Sequence, residues 1–480
     1  MESFSEIINQ IDNFVWGGWL IVLILAVGII LTVRSKGIQF RKLGTAFKFA
    51  FKSESSGEGD VSSFGALCTA LSATIGTGNI VGVATAICVG GPGALFWMWI
   101  AALLGTATKY AECLLATKYR TVAEDGHVLG GPFYYIEKGM GEKWKWLAKL
   151  FAVLGVGAGL LGIGTITQIN GITSAVETFV DPDKMHVVSL FGNSYSWAVV
   201  VSGVVVTVCA ALVIIGGIKR ITKVSEIVVP FMAVLYVVVA IVILVCNASK
   251  IPAAFVEIVE DAFGLRAVVG GGFWATFKYV LANPMQKGIA RGIFSNEAGL
   301  GSAPIAAAAA KVDSPAKQGL ISMTGTVIDT LIICTMTGLC IVLTGAHNAA
   351  ESMGLEGAQV TNYAFQQGLP LPAKVSSFIL MMCLAFFAFT TILGWDYYSE
   401  RCLEYLTKGK MGPVKVYRWL YILAVLIGPF LTVSAVWTIA DIFNGLMAVP
   451  NLVALVALGG VVAAETKIFI DKADKAKESK

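Results

Sequence analysis

Apolar runs long enough to cross a bilayer recur along the whole chain, and that recurrence limits what it can fold into. A spanning helix needs about 20 mostly apolar residues. Laid along the sequence, that ruler gives eleven candidates: residues 14–33, 62–90, 94–118, 147–176, 195–217, 224–246, 266–286, 319–345, 374–400, 416–432 and 434–462. Only 14% of the 480 residues are charged, against about 25% in soluble domains. The chain therefore reads as one all-α polytopic membrane domain spanning 1–480, embedded in a lipid bilayer.

Charge in the connections sets the orientation. Arg34, Lys36, Arg41, Lys42, Lys48 and Lys52 follow the first run, Lys118 and Arg120 the third, and Lys219, Arg220 and Lys223 the fifth. Lys287, Arg291, Lys311 and Lys317 follow the seventh, Arg401, Lys408 and Lys410 the ninth, and a lysine-rich tail (463–480) the eleventh. The intervening loops are short, acidic or nearly neutral. Basic loops stay cytoplasmic, so the N-terminus is expected outside and the C-terminus inside a plasma or inner membrane. Residues 1–13 contain no Lys or Arg, so the first run reads as a spanning helix and not a cleaved signal. Segments 251–263 and 355–367 read as short surface helices.

Several functions are disfavoured. A net charge of +4, with no basic face interleaved with aromatics, argues against nucleic acid. Nine cysteines without a CxxC, and three scattered histidines (His127, His186, His347), suggest neither a zinc site nor a catalytic constellation. No P-loop string occurs, so no nucleotide is expected. "GAGLLG" at 157–162 satisfies GxGxxG, but no strand precedes it, and helix packing explains it. A channel would show a repeated filter or charged ring. No organic cofactor is implied.

Two runs are interrupted by residues that weaken helices. The first is "SATIGTGN" (Ser72–Asn79) and the other is "VVGGGFWATF", with Gly270, Gly271 and Gly272 together. Irregular backbone at membrane depth persists only where it is buried or lines a cavity. Interruptions at matching places in two five-helix halves point to a transporter site at the midplane. The halves would be 62–246 and 266–462, with 14–33 as an extra N-terminal helix. Small residues packing helices together are the competing explanation; it is weak for "TIGTGN" and evenly balanced for the triple glycine. Where a helix unwinds, free N–H groups suit a carboxylate and free carbonyls suit an ammonium or sodium ion. A zwitterionic amino acid meets both.

The strings "ATIGTGNIVGVATAICVGGPGALFWMWIAALLGTATKYAECLLATKYR" and "ARGIFSNEAGLGSAPIAAAAA" resemble those of the alanine or glycine:cation symporter family, the sodium:alanine symporters, over about residues 14–462. The resemblance implies a LeuT-type 5+5 inverted repeat and uptake of alanine, glycine or D-alanine with sodium, occasionally protons. It implies that Thr77, Gly78 and Asn79 take the substrate carboxylate and help place its amine, with Gln168 at the polar end. Gly270, Gly271 and Phe273 would supply carbonyls and a wall, and Ile392 and Trp395 would limit side-chain volume. Sodium, a hard cation, would sit between carbonyls of Ser72, Ile75 and Phe387 and the hydroxyls of Thr390 and Thr391.

Ionisable groups at membrane depth default to functional hypotheses. Lys109 and Glu112, three apart on one helix face, are expected to pair. Asp329 and Asp441 would each meet a basic residue from another span or hold a proton or cation. Arg291 and Glu297 are expected at the cytoplasmic end as an inner gate or a solvated pair. A proton-coupled carrier, using Asp329 or Asp441, is the runner-up to sodium symport; a membrane channel or membrane enzyme ranks lower.

Overall fold

The computed structural model describes residues 2–52, 57–124, 126–190, 193–264, 280–431 and 433–478. The apolar runs are helices, because only intrasegment hydrogen bonds satisfy a backbone in hydrocarbon. Eight helices among the described residues are long and apolar enough to cross a membrane, and the bent pair Ser63–Thr74 and Gly78–Gly90 makes a ninth span.

Two further units are more polar. Ala94–Lys118 is 25 residues, about 37 Å at 1.5 Å per residue, and is buried along its second half. The other comprises Gln286–Asn296 and Ala303–Ala308. Here the structure corrects the expected layout. Residues 287–318 were expected as a basic cytoplasmic connection, yet 292–310 are continuously buried. Hydropathy hides this segment because Gln286, Lys287, Arg291, Asn296 and Glu297 interrupt it, and four of these, Gln286, Arg291, Asn296 and Glu297, find partners inside the bundle. The triple glycine and Phe273 lie outside the described residues.

Other boundaries differ in detail. The first span is two helices, Glu2–Val15 and Gly18–Arg34. The fourth is also broken, into Lys145–Leu161 and Ile166–Val180. The eleventh runs on as helix through most of the expected tail, to Glu478. The surface helices appear as Ile251–Ala262 and Ala358–Gly368. The GAGLLG glycines do pack helices: a Cβ on Gly157 would lie 2.4 Å from the Phe443 ring and one on Gly159 2.5 Å from Ser399 Cβ.

Contacts define two ends. At one, residues 61–62 pair with 310–311 and Lys118 meets Glu465 at 2.6 Å. At the other, Gly93 N–H donates to Asp261 (2.8 Å) and Asn247 donates to the Gly368 carbonyl (3.2 Å).

Candidate functional site

The first break sits mid-bundle. Ser63–Thr74, capped by the Ser62 hydroxyl, ends where Ile75 turns to ψ 93°; after Gly76 and Thr77 the chain resumes as a π turn, Gly78–Gly82, bent 52° from the first half. A Cβ on Gly76 would come within 2.5 Å of Thr391 Oγ1 and 2.9 Å of Gln168 Oε1. Glycine there lets two other spans reach the opened backbone.

Freed backbone groups need partners, and neighbouring spans provide them. Gln168 Oε1 accepts from Thr77 N–H (3.1 Å), and its Nε2 donates to the Ile163 carbonyl (2.9 Å) inside the fourth-span break. Asn79 accepts from Gly76 N–H (2.9 Å) and donates to Asp329 Oδ1 (2.7 Å), while its carbonyl accepts from the Thr337 hydroxyl (2.8 Å). The Thr77 hydroxyl is buried and has no hydrogen-bond partner among the described residues. The Asn79 amide is thus committed to bracing, and Thr77 is the uncommitted polar group beside it.

Of the expected ion ligands, three converge. Thr391 Oγ1 lies 3.2 Å from the Ile75 carbonyl and 3.1 Å from the Phe387 carbonyl. The Thr390 hydroxyl also donates to Phe387 O (3.0 Å), beside Met232 Sδ (3.6 Å). The Ser72 hydroxyl turns back to the Thr69 carbonyl at 2.7 Å. Ile392 is buried, with its carbonyl accepting from Tyr421 (2.8 Å), and the Trp395 indole donates to Glu297 Oε1 (2.7 Å).

The second described break lies in "SNEAGLGS". Glu297, Gly299 and Gly301 take positive φ of 56°, 93° and 84°, uncommon for a residue with a side chain. The turn is held by its neighbours: Ser302 donates to Glu297 Oε2 (2.5 Å), Gly299 N–H to Glu112 Oε1 (3.0 Å), and Asn451 to both Glu112 Oε1 (2.5 Å) and the Gly299 carbonyl (2.9 Å). Asp329 ties the two breaks together, accepting from Asn79, Ser295 (2.8 Å) and Thr330 (2.7 Å).

Two expectations about charges change and a third, for Asp329, narrows. Asp329 was expected to meet a basic side chain or hold a proton or cation; its described partners are amide and hydroxyl donors, and it forms no ion pair among the described residues. Glu112 does not pair with Lys109; the Lys109 ammonium is buried without a hydrogen-bond partner among the described residues, though its charge acts on Glu112, Glu297 and Asp329. Arg291 does not pair with Glu297. It grips Asp441 with two bonds of 3.0 and 2.9 Å, stacked near Phe294 (5.4 Å) and Trp437 (5.7 Å). Sequence proximity of Arg291 and Glu297 misled, because a helix carries them to different depths.

The Arg291–Asp441 pair lies beside a cavity of ≈ 800 Å³ whose lining includes Gly82, Thr85, Cys88, Gly171, Arg291 and Trp437. Phe294 adjoins the first break; a Cβ on Gly78 would lie 3.2 Å from its ring. Phe294, Ser295 and Thr337 were not singled out from the sequence. A signal existed: Arg291, Phe294 and Ser295 fall at i, i+3 and i+4, one face of a helix.

Two interrupted helices meeting at mid-bundle, bridged by buried polar groups below a cavity, define a secondary transporter of LeuT type. The chain belongs to the sodium:alanine symporter family, whose family model matches residues 1–480. It is 52% identical over 470 residues to an uncharacterized transporter of Haemophilus influenzae, covering 98% of this chain and 97% of that one. It is 44% identical over 473 residues to the sodium/alanine symporter AgcS of Methanococcus maripaludis, covering 97% of each. The crystal structure of MhsT in complex with L-phenylalanine shares the fold, with a TM-score of 0.54 at 14% identity over 86% of this chain and 99% of that one. The family consists of transporters, so the chain is not an enzyme.

Proposed function

We propose that this protein takes up a small neutral amino acid, alanine or its near relatives glycine and D-alanine, together with sodium by alternating access. The observation that carries the reading is the convergence of the Ile75 and Phe387 carbonyls on the Thr391 hydroxyl, hard oxygens suited to sodium, next to the uncommitted Thr77 hydroxyl. In this reading Thr77 and Gly78 receive the substrate carboxylate, Asn79 and Gln168 hold the opened backbone, and Ile392 and Trp395 bound the side chain. The N-terminus lies outside and the C-terminus in the cytoplasm, so the cavity above Arg291–Asp441 opens outward and that pair acts as an outer gate. The repeats are 62–246 and 266–462.

The energetics suffice. One net charge crossing with each zwitterion contributes roughly 2.3 kcal/mol per 100 mV, and a tenfold sodium gradient adds about 1.4 kcal/mol. Together they sustain a substrate gradient of a few hundredfold. Coupling arises because ion and substrate stabilise one arrangement of the same break.

A second reading, proton coupling, draws on Asp329, a buried carboxylate held by neutral donors at the meeting of both breaks. Uptake of labelled alanine into proteoliposomes separates the two. Sodium-driven uptake retained under a collapsed proton gradient supports symport with sodium. Uptake driven by protons alone, and lost in Asp329→Asn, replaces it with the second reading.

A further inference from the structure

Both broken spans are seamed together at the end of the bundle away from the cavity. The segment leading into the second span runs alongside the segment leaving the second break, with Val61 opposite Ala310 and Ser62 opposite Lys311 in a parallel pair. Asp60 and Val61 N–H both donate to the Ala309 carbonyl (2.8 and 3.2 Å), and the Ser63 hydroxyl donates to the Lys311 carbonyl (2.9 Å). Gly57, at φ +111°, lies flush on this seam; a Cβ there would be 2.5 Å from the Val312 carbonyl. Val61, Ala66, Ala309 and Ala310 form a small buried apolar cluster beneath it.

A two-residue parallel pair has few bonds of its own, and the short helix Ala303–Ala308 ends in carbonyls without intrahelical partners. Arg120, just beyond the end of Ala94–Lys118, answers both needs. Its Nη1 donates to the Ala308 and Ala310 carbonyls (3.1 and 2.8 Å) and its Nη2 to the Glu58 carbonyl (2.7 Å). One guanidinium therefore holds the helix terminus, one strand and the lead-in to the other strand. Its planar fork of donors reaches carbonyls in several directions, which a lysine ammonium does less well. A cation at a helix C-terminus is also favoured by the helix dipole.

We propose that Arg120 is a positioning residue of transport: it latches this end shut and must release its carbonyls before the two broken spans part there. The proposal rests on the alternating-access reading, but its test does not use substrate, ion or uptake. Cys88 lines the cavity at the opposite end, whereas Ala66 is buried under the seam. In a background with Cys209→Ser and Cys246→Ser, both exposed positions, the rate of maleimide labelling is compared at A66C and at native Cys88, in detergent; the same background without A66C corrects for other thiols.

Arg120→Ala is expected to raise labelling at A66C about tenfold, a shift of about 1.4 kcal/mol, and to lower labelling at Cys88, because opening one end closes the other. Arg120→Lys is expected to fall between Arg120→Ala and the wild type. Unchanged labelling at A66C overturns the proposal. So does a rise at both thiols together, which signals general loosening. Should Arg120→Ala not fold, Arg120→Lys decides: an intermediate rise at A66C with a fall at Cys88 supports the latch, and wild-type rates overturn it.

Discussion

Replacing Thr391 by valine keeps side-chain volume and branching and removes one oxygen. That oxygen stands 3.2 Å from the Ile75 carbonyl and 3.1 Å from the Phe387 carbonyl. Phe387 retains a second side-chain donor, since Thr390 also reaches it at 3.0 Å. Among the described residues Ile75 has no such second side-chain donor: it is fully buried and has left helical geometry at ψ 93°. Its carbonyl loses the donor that Thr391 provides, and a buried acceptor left unmatched costs about 1–3 kcal/mol. If the same hydroxyl is a sodium ligand, the bound state loses a comparable amount, a weakening of about 5–150-fold. The assay is sodium dependence of labelled alanine uptake in proteoliposomes, with thermal unfolding in detergent as the folding control. Thr391→Val should raise the half-saturating sodium concentration at least fivefold, and Thr391→Ser should stay within about threefold of the wild type, worth under 1 kcal/mol. A half-saturation in Thr391→Val within twofold of wild type, in folded protein, refutes the assignment of this oxygen set to sodium.

Arg291→Gln leaves Asp441 without its two charge-assisted bonds, at a pair whose side chains are only 20% and 13% exposed. Uptake should fall at least tenfold, and Asp441→Asn added to Arg291→Gln should recover part of it, because the stranded charge is the main cost; no recovery in the double variant, measured by the same uptake assay, counts against this pairing. Asp181, in the loop after the fourth span, is held below the ordinary carboxylate range by the Ser196 hydroxyl (2.6 Å) and then by the Met185 N–H (3.0 Å). A lowered folded value means its stabilisation is present above the unfolded value of about 3.9 and is lost as pH falls through the folded one. Thermal unfolding between pH 6 and pH 3 should therefore show an acid-side decline that is shallower in Asp181→Asn.

The apolar runs, the alternation of basic loops and the "TIGTGN" break are local properties, and each was legible in the chain alone. Length and hydropathy select spanning helices because hydrocarbon leaves a backbone no other partner. Thr77 and Asn79 were legible within that break, because polar groups at membrane depth stand out against an apolar background, whereas Gln168 and Thr391 were singled out by the family resemblance. Family strings implied the ligand chemistry but did not say where the second helix opens.

That placement belonged to the tertiary structure. Residues 286–308 look too polar to be buried, and Glu297, Asn296 and Arg291 enter the bundle only because Trp395, Thr330 and Asp441 wait there from other spans. Such a segment has no local signature, since its burial is favourable only after its partners have assembled. Pairing of charges followed the same rule: helix geometry at Lys109 and Glu112 suggested one partner, while Gly299 and Asn451 supplied others. Sequence by itself determined most of the long apolar helices and where one of them must break. Which polar groups meet at the break, and which end of the bundle is seamed shut, is a matter of contacts hundreds of residues apart, and only the packed bundle decides them.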